Sequence, residues 1–209
     1  MSEQNQEISE LSRRALLRTI GASLAMGGSG AGLLSAQDAG HVHHAVAADR
    51  AKGDYKPKAF TPHEYATLRR LAELIMPPDE HSKGALDAGA PEFIDLLSSH
   101  NDELASIFTG GIGWLDEQMR HRYQAAFVDA HPDQQIQMLD LIAYRKNAAE
   151  HPELGPGVRF FDWARNLVVD AYYTSKVGMD DLGFMGNGAM AQFSVPEESL
   201  QYALKRSGL

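Results

Sequence analysis

The sequence contains no cysteine. That one absence excludes disulfides, thiolate zinc sites, cysteine nucleophiles and a c-type haem attachment motif. Basic residues are scarce too: 19 Lys and Arg stand against 28 Asp and Glu, for a formal net charge of -9. Phosphate backbones are held by clustered Lys and Arg, so nucleic acid is not the expected partner. No run alternates apolar with polar residues under β-branched enrichment, so no substantial sheet is expected. The motifs H-E-x-x-H, G-x-S-x-G and G-x-x-x-x-G-K-[ST] are missing, which removes the zinc-protease helix, the hydrolase elbow and the phosphate loop. Gly186-Asn187-Gly188-Ala189-Met190-Ala191 fits G-x-G-x-x-A in form only, because no strand precedes it and no βαβ unit surrounds it.

What is present is helical. With 209 residues, 44% of them hydrophobic, the chain can bury one stable core. Thr61-Pro62-His63-Glu64 is a helix start: a capping hydroxyl, a proline at the first position and a glutamate three after the cap. Pro77-Pro78 stops that helix, and Pro91 opens a second. A third segment spans residues 102–129, with a break expected at Gly110-Gly111 and Gly113. His131-Pro132 starts a fourth, and Gly155-Pro156-Gly157 separates it from the next. Residues 160–188 organise the rest. Phe160, Phe161, Trp163, Ala164, Leu167, Val168, Ala171 and Tyr172 recur three or four apart, too broad an apolar surface for a half-exposed helix. This is the expected central helix. Gly178, Gly183, Gly186 and Gly188 then end it, while Leu182, Phe184 and Met185 keep the break apolar. A short terminal helix follows Pro196. The expected fold is all-α, a compact orthogonal bundle of five or six helices with long loops.

The N-terminus carries a different signal. Ser12-Arg13-Arg14-Ala15-Leu16-Leu17 leads into a weakly apolar, glycine-rich stretch over residues 19–36, and Ala45-Val46-Ala47 offers small residues of the A-x-A kind. This order resembles a bacterial twin-arginine export signal. The expected division is a signal at 1–47 outside the fold, a linker at 48–59 and one helical domain at 60–209. The expected compartment is the periplasm, reached through the twin-arginine translocase, which carries folded proteins. A leader left uncut would tether the chain to the membrane instead. His41, His43 and His44 precede the expected cut; with no apolar frame around them they read as a solvated segment rather than a metal site.

Few residues suggest chemistry. Asp180-Asp181 lacks the further oxygens of a calcium loop. Met179, Met185 and Met190 suit an adaptable apolar contact surface. The histidines of the proposed mature chain stand mostly at helix boundaries, and a histidine–carboxylate pair could arise only through folding. The residues therefore describe a helical domain without recognisable catalytic, metal or cofactor residues. Its glycine-spaced apolar loop suits docking on a partner, with Leu182, Gly183, Phe184, Met185, Gly186 and Asn187 at the contact. The competing reading is an independent periplasmic enzyme or sugar-binding protein, with a polar pocket among the helices.

The sequence also resembles a known family. F-T-P-x-E with L-x-x-L-A-E-L-I-M-P-P-D (residues 60–79), G-A-x-x-A-G-A-P-E-F-I-D (84–95), Trp114-Leu115-Asp116 and Pro132-Asp133-Gln134-Gln135 come in order. Tyr172-Tyr173-Thr174-Ser175, then Gly178, then Leu182-Gly183-Phe184-Met185-Gly186-Asn187 complete the pattern. This is similar to the gluconate 2-dehydrogenase subunit 3 family. The resemblance implies a non-catalytic small subunit of a periplasmic sugar, sugar-acid or polyol dehydrogenase. FAD would then sit in a large subunit of the glucose-methanol-choline type, and haem c in a multihaem cytochrome that often takes the electrons. The small subunit would lend its Arg13-Arg14 signal to the folded flavoprotein and stay bound. Some relatives are joined to the large subunit by a disulfide; this chain, lacking cysteine, would associate without one.

Overall fold

The computed structural model describes residues 36–184 and 195–207. Among these residues are nine α-helices and no strand, so the all-α expectation is borne out. The helices are α1 (Ala36–Arg50), α2 (Pro62–Ile75), α3 (Ala90–Ser98), α4 (Asp102–Tyr123), α5 (Pro132–Ile142), α6 (Arg145–Glu150), α7 (Gly155–Tyr173), α8 (Lys176–Asp181) and α9 (Glu197–Ser207). Three of them, α1, α6 and α8, exceed the five or six expected. None of the described helices is long and apolar enough to cross a membrane.

Helix starts follow local chemistry. The Glu64 carboxylate accepts the Thr61 backbone N–H at 2.8 Å, while the Thr61 hydroxyl accepts from the Glu64 N–H at 3.3 Å. At α5 the Gln134 side chain accepts from the His131 N–H at 3.1 Å, so a histidine takes the capping position. Helix α7 is the centre, as expected. Phe160, Phe161, Ala164, Leu167, Val168, Ala171 and Tyr172 are buried against α2, α3, α4 and α5. Burial of this kind stabilises by roughly 25 cal/mol per Å² of apolar surface and holds the bundle together.

Two expected breaks are absent. Helix α4 runs unbroken through Gly110, Gly111 and Gly113, and α7 starts at Gly155 rather than after Gly157. The reason is close packing. A Cβ on Gly111 would overlap the Phe160 ring, and one on Gly157 would overlap the Trp114 ring. These two glycines mark where the helices touch, not where they stop. Likewise the segment after Tyr173 resumes as α8, where a wholly non-helical stretch was expected.

The N-terminal expectation also changes. The segment of His41, His43 and His44 is expected to be solvated, yet α1 packs on α3 with Ala39, Val42 and Val46 buried. The His43 ring lies 4.8 Å from that of Phe93. Arg50 faces Glu92 at 3.9 Å. The expected boundary between residues 47 and 48 falls inside this helix. Beyond the helix, the rest of the 48–59 segment is irregular and tied to α3. Buried Asp95 accepts from the Tyr55 hydroxyl at 2.7 Å and from the backbone N–H of Lys58, Ala59 and Phe60 at 2.8, 3.0 and 3.3 Å. The sequence missed both because α1 is alanine-rich with a narrow stripe, and Asp95 sits far along the chain from the loop it binds.

Candidate partner interface

The junction from α7 to α8 is tightly built. The Thr174 hydroxyl donates to the Asp170 carbonyl at 2.6 Å. The Ser175 hydroxyl donates to the Tyr172 carbonyl at 2.7 Å and accepts from the Gly178 N–H at 3.2 Å, capping α8. Gly178 is obligatory, since a Cβ there would collide with the Tyr172 carbonyl. From the other side, His43 Nε2 lies 3.0 Å from the Thr174 hydroxyl oxygen. That hydroxyl's only proton goes to Asp170, so the imidazole Nε2–H is the donor. Burial, and secondarily the neighbouring His44, pull the His43 pKa down to about 4, so the ring is neutral at pH 7.

Helix α8 then ends in a Schellman turn. Gly183 holds φ +61°, its N–H donates to the Asp180 carbonyl and the Phe184 N–H donates to the Met179 carbonyl, both at 3.0 Å. The turn fixes its flanking residues without burying them: Leu182 is 61% and Phe184 50% exposed. Of the residues expected at a contact, these two and Gly183 are brought together in solvent. Met185, Gly186, Asn187 and the arginine pair Arg13-Arg14 lie outside the described residues.

The exposure continues through Val195 into α9. None of the helix's residues is buried, and Leu200, Tyr202 and Leu204 present apolar surface to solvent. Six of the eight exposed large apolar side chains among the described residues lie after residue 181, so apolar exposure is concentrated at this end of the chain. The helix after Pro196 is expected from the sequence; its role is not. The signal was available in the spacing of Leu200, Ala203 and Leu204, which makes an apolar stripe.

Elsewhere the polar groups serve the fold. Folding does create a histidine–carboxylate pair, His63 Nε2 with Asp116 Oδ2 at 2.5 Å. Asp116 is nevertheless committed, because its other oxygen accepts the Phe127 N–H at 2.9 Å and pins the chain after α4. Among the described residues no three or more His, Asp or Glu side chains come together as a metal site. An open groove of about 500 Å³ between α2, α5 and α7 is mainly apolar, lined by Leu74, Ile136, Phe161 and Val169 with Asp140 and Arg165. No histidine lines it beside Asp140. Without a strand, the described residues also offer no βαβ unit for a dinucleotide.

Among the described residues a buried helical core thus stands beside a hydrogen-bonded turn and a helix whose apolar side chains are exposed, which makes this a small all-α protein. The family model described as gluconate 2-dehydrogenase subunit 3 matches residues 62–190, more than half of the chain, and the chain belongs to that family. Membership makes it a subunit type of an oxidoreductase complex and implies association with the other subunits. Searches of curated proteins and of solved structures return no significant match.

Proposed function

We propose that this chain is the non-catalytic small subunit of a periplasmic flavin-dependent sugar, sugar-acid or glycoside dehydrogenase. In this reading Arg13-Arg14 direct the chain to the twin-arginine translocase, and the folded FAD subunit of the glucose-methanol-choline type is carried with it and stabilised by it. FAD belongs to that partner, and haem c to a cytochrome c subunit where one is present. The observation that carries the reading is the pair Leu182 and Phe184, held in solvent by a hydrogen-bonded turn. Large apolar side chains on a rigid turn lose little conformational freedom when covered, which favours an interface. The uncovered face of α9 extends the same argument. Co-purification tests it. The tagged chain, drawn from the periplasm under native conditions, is expected to bring a flavoprotein in fixed ratio. A monomer alone in the periplasm, with no flavin in any fraction that contains it, would rule the proposal out.

A further inference from the structure

Helix α1 occupies the place in sequence where an export leader is expected to end, yet it is folded into the domain. Ala39, Val42 and Val46 are three and four residues apart, form one stripe and are all buried. His43 covers Phe93, which is itself fully buried, and binds Thr174 at the root of the α8 turn. The far end of the helix is held by Arg50, which faces Glu92 and donates to the Leu86 carbonyl at 3.4 Å. Removing residues up to Ala47 would uncover Phe93, leave Thr174 without its donor and discard all three buried stripe residues.

The A-x-A sequence at the expected end of the leader, Ala45-Val46-Ala47, lies inside this helix, and its middle residue is 3% exposed. Peptidases bind their substrates as extended, accessible chain. A helical segment packed on a core offers neither property until it unfolds locally. We infer that the peptide bond between Ala47 and Ala48 stays intact in the working protein, and that α1 remains part of it. The inference rests on the export reading for its setting, since a chain exported folded meets the peptidase with this segment already closed. Any processing leaves residues 36–50 attached to the domain. The consequence is mechanical: α1 braces the α7–α8 junction from beneath, and the same junction presents Leu182 and Phe184.

Intact mass and N-terminal sequencing of the periplasmic protein test this. The expected chain contains residues 36–50; a chain beginning at Ala48 overturns the inference. Ala47 is exposed, so Ala47→Leu leaves the fold untouched while blocking an A-x-A site. It is expected to leave the processing pattern unchanged, and build-up of a longer species would count against us. A second arm does not depend on export. The full chain carrying Arg13→Lys and Arg14→Lys is purified from the cytoplasm and followed by hydrogen exchange. Backbone amides at residues 42–46 are expected to exchange at least about a hundred-fold more slowly than unstructured peptide. Exchange at the unstructured rate sinks the inference. If the unsubstituted chain never leaves the cytoplasm, the export reading fails and the exchange measurement alone decides whether α1 belongs to the domain.

Discussion

The Trp114 ring of α4 fills the space that any side chain at Gly157 of α7 would take. The relation is reciprocal, because Phe160 of α7 does the same at Gly111 of α4. Each helix thus supplies a glycine and, three residues later, an aromatic that covers the other's glycine. The pairing 111 with 160 and 114 with 157 requires the two helices to run antiparallel where they cross. Gly111→Ala or Gly157→Ala should therefore destabilise by about 1–3 kcal/mol through overpacking. Gly110→Ala and Gly113→Ala meet nothing within 4 Å and should instead stabilise by up to about 1 kcal/mol, as helix-interior glycine replacements do. Urea unfolding of the four variants separates the pairs. Equal effects from all four would mean that the crossing is not close.

Asp95 provides a second test, because one buried carboxylate holds a whole segment. Burial, then the bond to Asp95, push the Tyr55 phenol far above its ordinary pKa, so it stays a donor. Asp95→Asn keeps the shape but replaces one of the two accepting oxygens by an NH₂ group, which then faces either the Tyr55 hydroxyl and the Lys58 N–H or the N–H groups of Ala59 and Phe60. A loss of about 2–4 kcal/mol is expected, against about 1 kcal/mol for Tyr55→Phe. Hydrogen exchange should show the amides of Lys58 and Ala59 opening in the first variant and holding in the second.

These two cases show what the sequence could and could not reveal. Local signals were legible: Thr61 with Glu64 marked the start of α2, and the broad apolar face from Phe160 to Tyr172 marked the central helix. A glycine in a helix has two meanings, a stop or a close approach, and only the neighbour decides between them. Gly111, Gly157 and Gly178 are all close approaches, so reading them as breaks failed for one physical reason. Helix α1 and the Asp95 network depend on partners dozens of residues away, and no periodicity reports those. At the interface, Leu182 and Phe184 were legible as apolar residues in a glycine-rich turn. Their exposure was not legible, because it depends on the Schellman geometry set by Gly183.

That geometry makes the docking proposal separable from stability. Leu182→Ser with Phe184→Ser changes only exposed side chains and should shift unfolding by no more than about 0.5 kcal/mol. Recovery of the flavoprotein with the tagged chain should nevertheless fall at least about tenfold, the effect of losing about 1.4 kcal/mol or more at an interface. Gly183→Val should act differently. A β-branched residue at φ +61° strains the turn by about 1–3 kcal/mol and displaces both side chains together. Undiminished recovery in the double serine variant would remove this turn from the interface.

The last prediction concerns acid. His43 has its pKa held down to about 4 by burial first and by His44 second, whereas in the unfolded chain it titrates near 6.5. Between those values the unfolded chain binds a proton that the folded one refuses, so stability must fall as pH drops from about 6.5 to about 4. Complete burial would make the loss about 3 kcal/mol; partial solvation of this ring reduces it to about 1–2 kcal/mol. Asp170 works the other way, since burial raises its pKa and protonation on acidification relieves it. The comparison must therefore be between chains. His43→Gln retains a donor for Thr174 but cannot titrate, so its urea midpoint should decline less between pH 7 and pH 4.5 than that of the unsubstituted chain. Asp170 contributes equally to both and cancels. Because His43 sits on α1 and grips the α7–α8 junction, the acid-sensitive step should be the loosening of α1. Parallel pH slopes in the two chains would show that the ring is solvated and that α1 does not close over it.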